Sequence, residues 1–479
     1  MRNKSLWLFF IGAGLLYSVW GCKKATTDHN AISEAALANS VYDLITQTPE
    51  LSTFRGLLML SGYDRVLSSS KNFTVFAPTN KDLENLDTAI IKNPAKLSLF
   101  VGNHISQQLY YSNSLSAAAR IQMMNGKYNN VSAGKIEDAA LTKADLYASN
   151  GVLHIIDKKV AALENCWEYI ANASTGPVKQ KAYLLSLFQK VFDTTDAIIV
   201  GIDPNTGEPI YQPGTDSVFT NLFWNKVYDL RDEKKQYSLF LLQDAAWDAE
   251  VNKYKPFFAT GSVDSTTKAA SWAVVKDLAI EGAQSPATIP DTVLSKFGTK
   301  VPVEKLSIVN TIKTSNGIVY IMGKADVQPK HKFSELLIQA ENYTASSADR
   351  RGNTYFRDRF NTITSKDFRD ILVLGHGVAL FNLRYQLPEM PTLKYKAYWM
   401  ALNDFQTATF TQKLGIGTAT STTFGYTTVS VNNYNEIYLG EFTLTQYQPL
   451  FNIYLTAANS TTSAVNPLVC DYIRLVPVL

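Results

Sequence analysis

The sequence predicts a multidomain chain: two copies of one mixed α/β domain, followed by an all-β sandwich. Three observations predict it. First, Phe73–Asn80 (FTVFAPTN) and Asn150–Asp157 (NGVLHIID) start 77 residues apart, and Tyr237–Asp244 (YSLFLLQD) and Asn316–Gly323 (NGIVYIMG) start 79 apart, residue 73 to 150 and 237 to 316. Matching segments at nearly equal spacing mark an internal repeat. Second, the pattern beyond His331 turns to short alternating strands parted by Ser/Thr/Asn-rich turns, as in a β-sandwich. Third, 479 residues is the length of about three domains.

The N-terminus carries a targeting pattern. Arg2 and Lys4 precede an uncharged apolar run, Leu6–Val19, too short for the ~20 residues of a membrane-spanning helix. The run ends at Val19-Trp20-Gly21-Cys22, which resembles the lipobox of bacterial lipoproteins, although Trp20 stands where a small residue is usual. That resemblance implies a signal peptide over 1–21, acylated Cys22 as the first mature residue and a polar tether over 22–30. An acyl anchor holds a protein on a membrane at ~0.8 kcal/mol per buried methylene.

Removing Arg2 and Lys4 from 45 basic residues leaves 43 against 42 acidic. Nucleic acid is therefore not an expected partner, since it calls for a strongly basic face. Beyond the anchor only Cys166 and Cys470 remain, in different expected domains. That excludes a disulfide framework and disfavours structural zinc.

The repeat segments resemble the fasciclin domain, with its F-A-P-T-(N/D) strand and later N-G-V-(I/L)-H-(I/V)-I-D strand. The first copy is expected over 31–162. It keeps only the histidine, in Asn103-His104, of the family's Tyr-His pair. The second, over 163–328, diverges: Leu242 stands for Pro78 and Asp277-Leu278 for the Tyr-His pair. It also carries an insertion whose Asp203-Pro204-Asn205-Thr206-Gly207 reads as a hairpin turn. The two Asn-Gly pairs are expected to supply the positive φ of a tight turn, and His104 and His154 to be core or capping residues. Fasciclin domains are adhesion and interaction modules, so the resemblance implies binding.

In the region 329–479, Leu393–Leu402 alternates, with Leu393, Tyr395, Ala397 and Trp399 on one face and Lys394, Lys396, Tyr398 and Met400 on the other. Leu450–Ala457 and Leu468–Val476 read as further strands. Ile338–Tyr343 (IQAENY) and Cys470–Leu475 (CDYIRL) resemble the opening and closing strands of jelly-roll carbohydrate-binding modules. In calcium-binding members the corresponding carboxylates hold a structural ion, which by position would be Glu341 and Asp471. Alternation alone turns Asp471 inward with Val469, Ile473 and Leu475. A buried carboxylate needs a partner, which calcium, an arginine or backbone N–H groups could each supply.

Beyond that possible calcium no cofactor is expected, and no catalytic signature frames a reaction: there is no G-x-S-x-G, H-E-x-x-H or phosphate-binding glycine loop, and Gly375-His376-Gly377 reads as a loop. The chain is expected to be no enzyme. Tyr398, Trp399, Tyr426 and Tyr434, with Tyr355, are the aromatic candidates for stacking on sugar rings; packing of the core or of a partner protein would use the same residues. Lipoproteins of this kind resemble accessory proteins of the Bacteroidota, which accompany SusC/SusD-type TonB-dependent importers of the outer membrane. That implies either a glycan-binding or adhesion role on the cell surface, or a purely structural subunit of an outer-membrane complex.

Overall fold

A computed structural model describes residues 38–172 and 176–479. The targeting run, Cys22 and the tether lie outside them. No helix among the described residues is long and apolar enough to cross a membrane. The chain forms two compact bodies: one runs to Trp167 and takes in Leu230–Gln236 and Lys313–Asn316, and the other holds the rest.

The first domain is built on β1 (Phe73–Pro78), every residue of which is buried. A strand covered on both faces must be apolar throughout rather than alternating. It pairs antiparallel with β2 (Ile105–Ser106). On its other side it runs parallel to β7 (Gly151–Ile156), from Phe73 opposite Gly151 to Pro78 opposite Ile156. Strands β3 (Ala119–Gln122), β4 (Tyr128–Ser132), β5 (Lys135–Ile136) and β6 (Ala139–Ala148) complete a sheet of order β2-β1-β7-β6-β5-β4-β3. Helices Val41–Gln47 and Ser52–Ser61 bury Val41, Ile45, Phe54, Leu57 and Leu58 in one core with Phe73 and Val75.

The parallel pair fixes Asn150-Gly151. The Asn150 side chain accepts from the Val41 N–H at 2.8 Å and donates to the carbonyls of Leu67 and Ser69, each at 2.7 Å. A Cβ on Gly151 would lie 2.1 Å from the Phe73 carbonyl oxygen. Glycine is therefore required by close backbone approach. The positive φ expected of both glycines is present, 157° at Gly151 and 158° at Gly317, a conformation that residues with a Cβ rarely adopt.

The segment 163–328 repeats these bonds with other letters. β12 (Tyr237–Leu242) runs parallel to β17 (Gly317–Met322), from Tyr237 opposite Gly317, in a sheet of order β13-β12-β17-β16 with β13 (Ala279–Glu281) and β16 (Ile308–Thr314). Asn316 accepts from the Cys166 N–H at 2.9 Å and donates to Leu230 and Asp232 carbonyls at 2.9 and 3.2 Å. Thr74 Oγ1 donates to the Gln108 carbonyl and accepts from the Tyr110 N–H at 2.6 and 2.9 Å; Ser238 Oγ does the same with Gly282 and Gln284 at 2.8 and 2.9 Å. His154 stacks on Phe76 and donates to the Tyr110 carbonyl; Tyr320 stacks on Phe240 and donates to the Gln284 carbonyl. Small antiparallel strands β14 (Thr292–Leu294) and β15 (Lys300–Pro302) follow β13.

The insertion is a long two-stranded arm. β8 (Phe188–Phe192) pairs with β11 (Ser217–Asn221) at its base, and β9 (Ile199–Ile202) with β10 (Pro209–Tyr211) near its tip. Asp203–Gly207 makes the turn, with Gly207 at φ 73°.

The sandwich has a four-stranded sheet β18-β29-β23-β26 and a five-stranded sheet β19-β22-β27-β24-β25. In chain order these are β18 (Leu336–Gln339), β19 (Ala345–Ser346), β22 (Asn382–Met390), β23 (Lys394–Met400), β24 (Phe410–Ile416), β25 (Thr427–Val429), β26 (Ile437–Thr443), β27 (Gln448–Ala457) and β29 (Tyr472–Val478). A third sheet joins β20 (Thr354–Asn361), β21 (Lys366–Val373) and β28 (Leu468–Cys470). Tyr385, Tyr395, Trp399, Leu414, Ile453 and Ile473 share one core. The expected single strand Leu468–Val476 is broken at Asp471: β28 pairs with β21, whereas β29 pairs with β18 and β23.

The sandwich is welded to the second segment. Trp272 Nε1 and Lys276 Nζ reach the two oxygens of Glu389 at 2.8 and 2.6 Å. The Thr392 and Tyr447 N–H groups donate to the carbonyls of Phe257 and Ala259, each at 2.7 Å. Buried Lys332, at the end of helix Pro329–Lys332, pairs with fully buried Asp277.

Candidate functional site

On the outer face of the four-stranded sheet, the strand register sets Leu337, Arg474, Tyr398 and Tyr438 in one row. The Arg474 guanidinium lies 4.5 Å from the centre of the Tyr398 ring, which is 5.1 Å from that of Tyr438. Arg474 is held by Glu436 at 2.5 Å and Glu335 at 3.0 Å. The charged groups of this row are thus satisfied by one another. Tyr434, half-buried, lies in the loop before β26, where its carbonyl accepts from Asn361 at 3.2 Å.

Trp399 is not a ligand residue of this face. It is 1% exposed and points into the core with Tyr395 and Ala397. The alternation along β23 holds from Lys394 to Trp399 and ends at Met400, which is buried as well; the Trp-bearing face packs the sandwich because Lys394, Lys396 and Tyr398 occupy the wet one.

The outer face of the five-stranded sheet is different. It presents Asn382, Arg384 and Gln386 of β22, Thr411 and Lys413 of β24, and Asn452, Tyr454 and Thr456 of β27, with Arg384 opposite Tyr454 and Thr456 opposite Lys413. Tyr426, just before β25, lies over this face: its hydroxyl donates to the Ala457 carbonyl at 3.1 Å, and Lys413 Nζ is 5.4 Å from its ring centre. Three buried polar atoms here, Arg384 Nε, Asn452 Oδ1 and Thr456 Oγ1, have no hydrogen-bond partner among the described residues. Leaving such a group unsatisfied costs ~1–3 kcal/mol. Tyr426 was legible in the sequence as a candidate; Arg384, Asn452, Tyr454 and Thr456 were not singled out. The signal that finds them is the polar alternation N-x-Y-x-T within Gln448–Ala457.

Asp471 sits where the chain passes from β28 to β29. Burial first, then the negative charges of Asp370 and Glu341, push its carboxyl up to about 7. Asp370 is satisfied by Arg357, Nε to Oδ1 at 2.8 Å, and Arg357 also holds Asp404 at 2.6 Å. No ion pair reaches Asp471 among the described residues, and Glu341 Oε2 is buried without a partner. A carboxyl whose charge is disfavoured, beside a second carboxylate with an oxygen left over, fits a hard divalent cation. No group of three or more His, Cys, Asp or Glu side chains that could hold a metal gathers among the described residues, so carbonyls and water would complete the shell.

His104, His154 and His376 each have both ring nitrogens engaged with the backbone. His104 donates from Nδ1 to the Phe100 carbonyl at 2.9 Å and accepts from the Val160 N–H on Nε2 at 3.0 Å; burial lowers its pKa to about 4. His154 is bonded to the Tyr110 carbonyl and the Asp145 N–H, and His376 to the Asn466 carbonyl and the Val378 N–H. Burial also pushes the Cys166 thiol up to about 12 and that of Cys470 well above its ordinary value, so neither is a thiolate nucleophile.

The arm is the second unusual surface. Phe192, Ile198, Ile199, Val200, Ile202, Ile210, Val218 and Phe219 are all exposed. Adjacent exposed residues such as Ile199 and Val200 point to opposite faces of the ribbon.

Comparison with known proteins places the first domain. Residues 49–161 match the family model of the Fasciclin domain. Human periostin is 27% identical over 133 residues, which are 26% of this chain and 16% of periostin. The rabbit (Oryctolagus cuniculus) transforming growth factor-beta-induced protein ig-h3 is 26% identical over 136 residues, 26% of this chain and 20% of that protein. The chain thus matches a fifth or less of the length of these relatives. Among solved structures, a FAS1 domain pair from the insect cell adhesion molecule Fasciclin I is similar over 59% of this chain and 99% of its own, at 13% identity and TM-score 0.23. A family 35 carbohydrate-binding module from Clostridium thermocellum is similar over 30% of this chain and 98% of its own, at 15% identity and TM-score 0.21. CsCBM6-3 from Clostridium stercorarium, solved in complex with cellobiose, is similar over 29% of this chain and 90% of its own, at 15% identity and TM-score 0.18.

Proposed function

We propose that this chain is a non-catalytic, lipid-anchored glycan-binding or adhesion protein of a bacterial outer membrane, with its sugar site on the five-stranded face of the sandwich. The carrying observation is the coincidence there of Tyr454 and Tyr426 with three buried polar atoms that lack partners. Aromatic rings stack on the apolar faces of sugars, and unpaired amide, hydroxyl and guanidinium groups read their hydroxyls. The four-stranded face supports this less well, because Arg474 and its carboxylates already satisfy each other. The full chain, solubilised in detergent, is expected to give binding heats with one or more members of a glycan panel. Tyr454→Ala or Tyr426→Ala should weaken affinity about fivefold to tenfold. No heat with any glycan would sink the reading.

The segment 163–328 is read as a second, divergent fasciclin domain, because its parallel pair, Asn-Gly bonding and Ser238 and Tyr320 contacts repeat those of the first. The anchor is Cys22: mass spectrometry of the mature protein should find it first and acylated, and a different N-terminus removes the anchor from the proposal. Calcium at Glu341 and Asp471 would neutralise their charge. At a hundredfold excess over its Kd it should add ~2.7 kcal/mol to unfolding stability. Asp471→Asn should abolish that increment, and an unchanged increment rules out the site.

A second reading, a structural subunit of an outer-membrane complex such as a SusC/SusD-type importer, is favoured by the arm. An isolated two-stranded ribbon is marginally stable in water, and this one exposes apolar side chains on both faces. A partner protein enclosing the arm would supply the missing cover. Co-purification of a barrel from native membranes that survives serine at Ile199, Val200, Ile202 and Phe219 would remove the arm as the contact.

A further inference from the structure

We propose that the ligand of the five-stranded face is an anionic glycan, a polymer whose sugars carry carboxylate or sulfate groups. This rests on the reading of that face as the sugar site and names what the site selects. Apart from Glu389, which Lys276 holds at the joint with the second segment, the outward positions of β22, β24 and β27 present two cations, Arg384 and Lys413, and no carboxylate. Neither cation is in an ion pair among the described residues. On the opposite sheet, by contrast, Arg474 is neutralised by Glu436 and Glu335, and Lys394 by Glu441 at 3.1 Å.

Arg384 Nε is buried without an acceptor. A guanidinium N–H in that position is best satisfied by an anionic oxygen, whose charge-assisted bond is about twice as strong as a neutral one. Lys413 is kept on the face by donating to the Ser421 carbonyl at 3.0 Å, against the Tyr426 ring. The two cations are separated by two interstrand spacings and one two-residue step, roughly 12 Å. That distance suits acidic groups on different sugars of one chain rather than two charges on a single ring. Tyr454, opposite Arg384 on β27, would stack the intervening sugar. A short acidic oligosaccharide should therefore bind where the free monosaccharide does not.

The test is affinity electrophoresis and calorimetry of the full chain with matched polymers: polygalacturonate and its carboxyl-reduced form, and a sulfated galactan and its desulfated form. At least one acidic polymer is expected to bind. Its neutral counterpart should bind about tenfold to a hundredfold more weakly. Arg384→Gln and Lys413→Gln should each remove most of that preference, Arg384→Lys should restore part of it, and Lys394→Gln on the other sheet should change nothing. Binding of only the carboxylated or only the sulfated polymer supports the proposal and identifies the group. Equal binding of acidic and neutral forms, unaffected by Arg384→Gln, overturns it while leaving the glycan site standing. Binding of no polymer at all overturns both.

Discussion

Replacing Asp277 with alanine should cost about 3–5 kcal/mol, because it leaves a buried ammonium without its counter-charge. Asp277 is fully buried, and the Lys332 side chain is only 5% exposed. Burial already lowers the Lys332 pKa, opposed chiefly by Asp277. Ser295 Oγ also donates to Asp277, at 2.6 Å, so the substitution strands a second polar group. The double change Asp277→Asn with Lys332→Met removes both charges at similar volume and should cost much less. Denaturant titration of the three proteins decides the matter. Equal losses in single and double variants would show that shape rather than charge holds this joint.

Phe76→Ala should cost a comparable ~3–5 kcal/mol in the first domain. Phe76 is fully buried, stacks on His154 with centroids 5.3 Å apart, and packs with Leu115, Ile121, Val131 and Ile156. The strand is gripped from both sides by β2 and β7, so it cannot move in to fill the space. A loss under ~1 kcal/mol would mean that the surrounding side chains collapse far more freely than a close-packed core allows.

The first domain was the most legible part of the sequence, since β1 and β7 carry both the apolar runs and the Asn-Gly that their parallel pairing needs. The second segment was harder to read because its hydrogen bonds survive substitution. Serine replaces threonine at position 238 and tyrosine replaces histidine at 320, each with the same donor role. In the sandwich, alternation divided β23 correctly into two faces but could not say which was inward, so Trp399 stood among the ligand candidates. Asp471 was read within one strand, whereas its chain changes sheets there. Sequence periodicity does not record a change of pairing partner. The insertion was legible as extra structure around its Asp203–Gly207 turn, but its exposure was not: the isoleucines and valine of Ala197–Ile202 (AIIVGI) lie in the open.

The weld around Glu389 and Lys332 has a thermal consequence. Linked domains melt separately when few contacts cross between them. Here two charged clamps and two backbone hydrogen bonds join the second segment to the sandwich. Heating should thus show these two as a single calorimetric transition. The five-stranded face would accordingly keep its shape until the neighbouring segment gives way, and a ligand bound there would raise the melting point of residues it never touches.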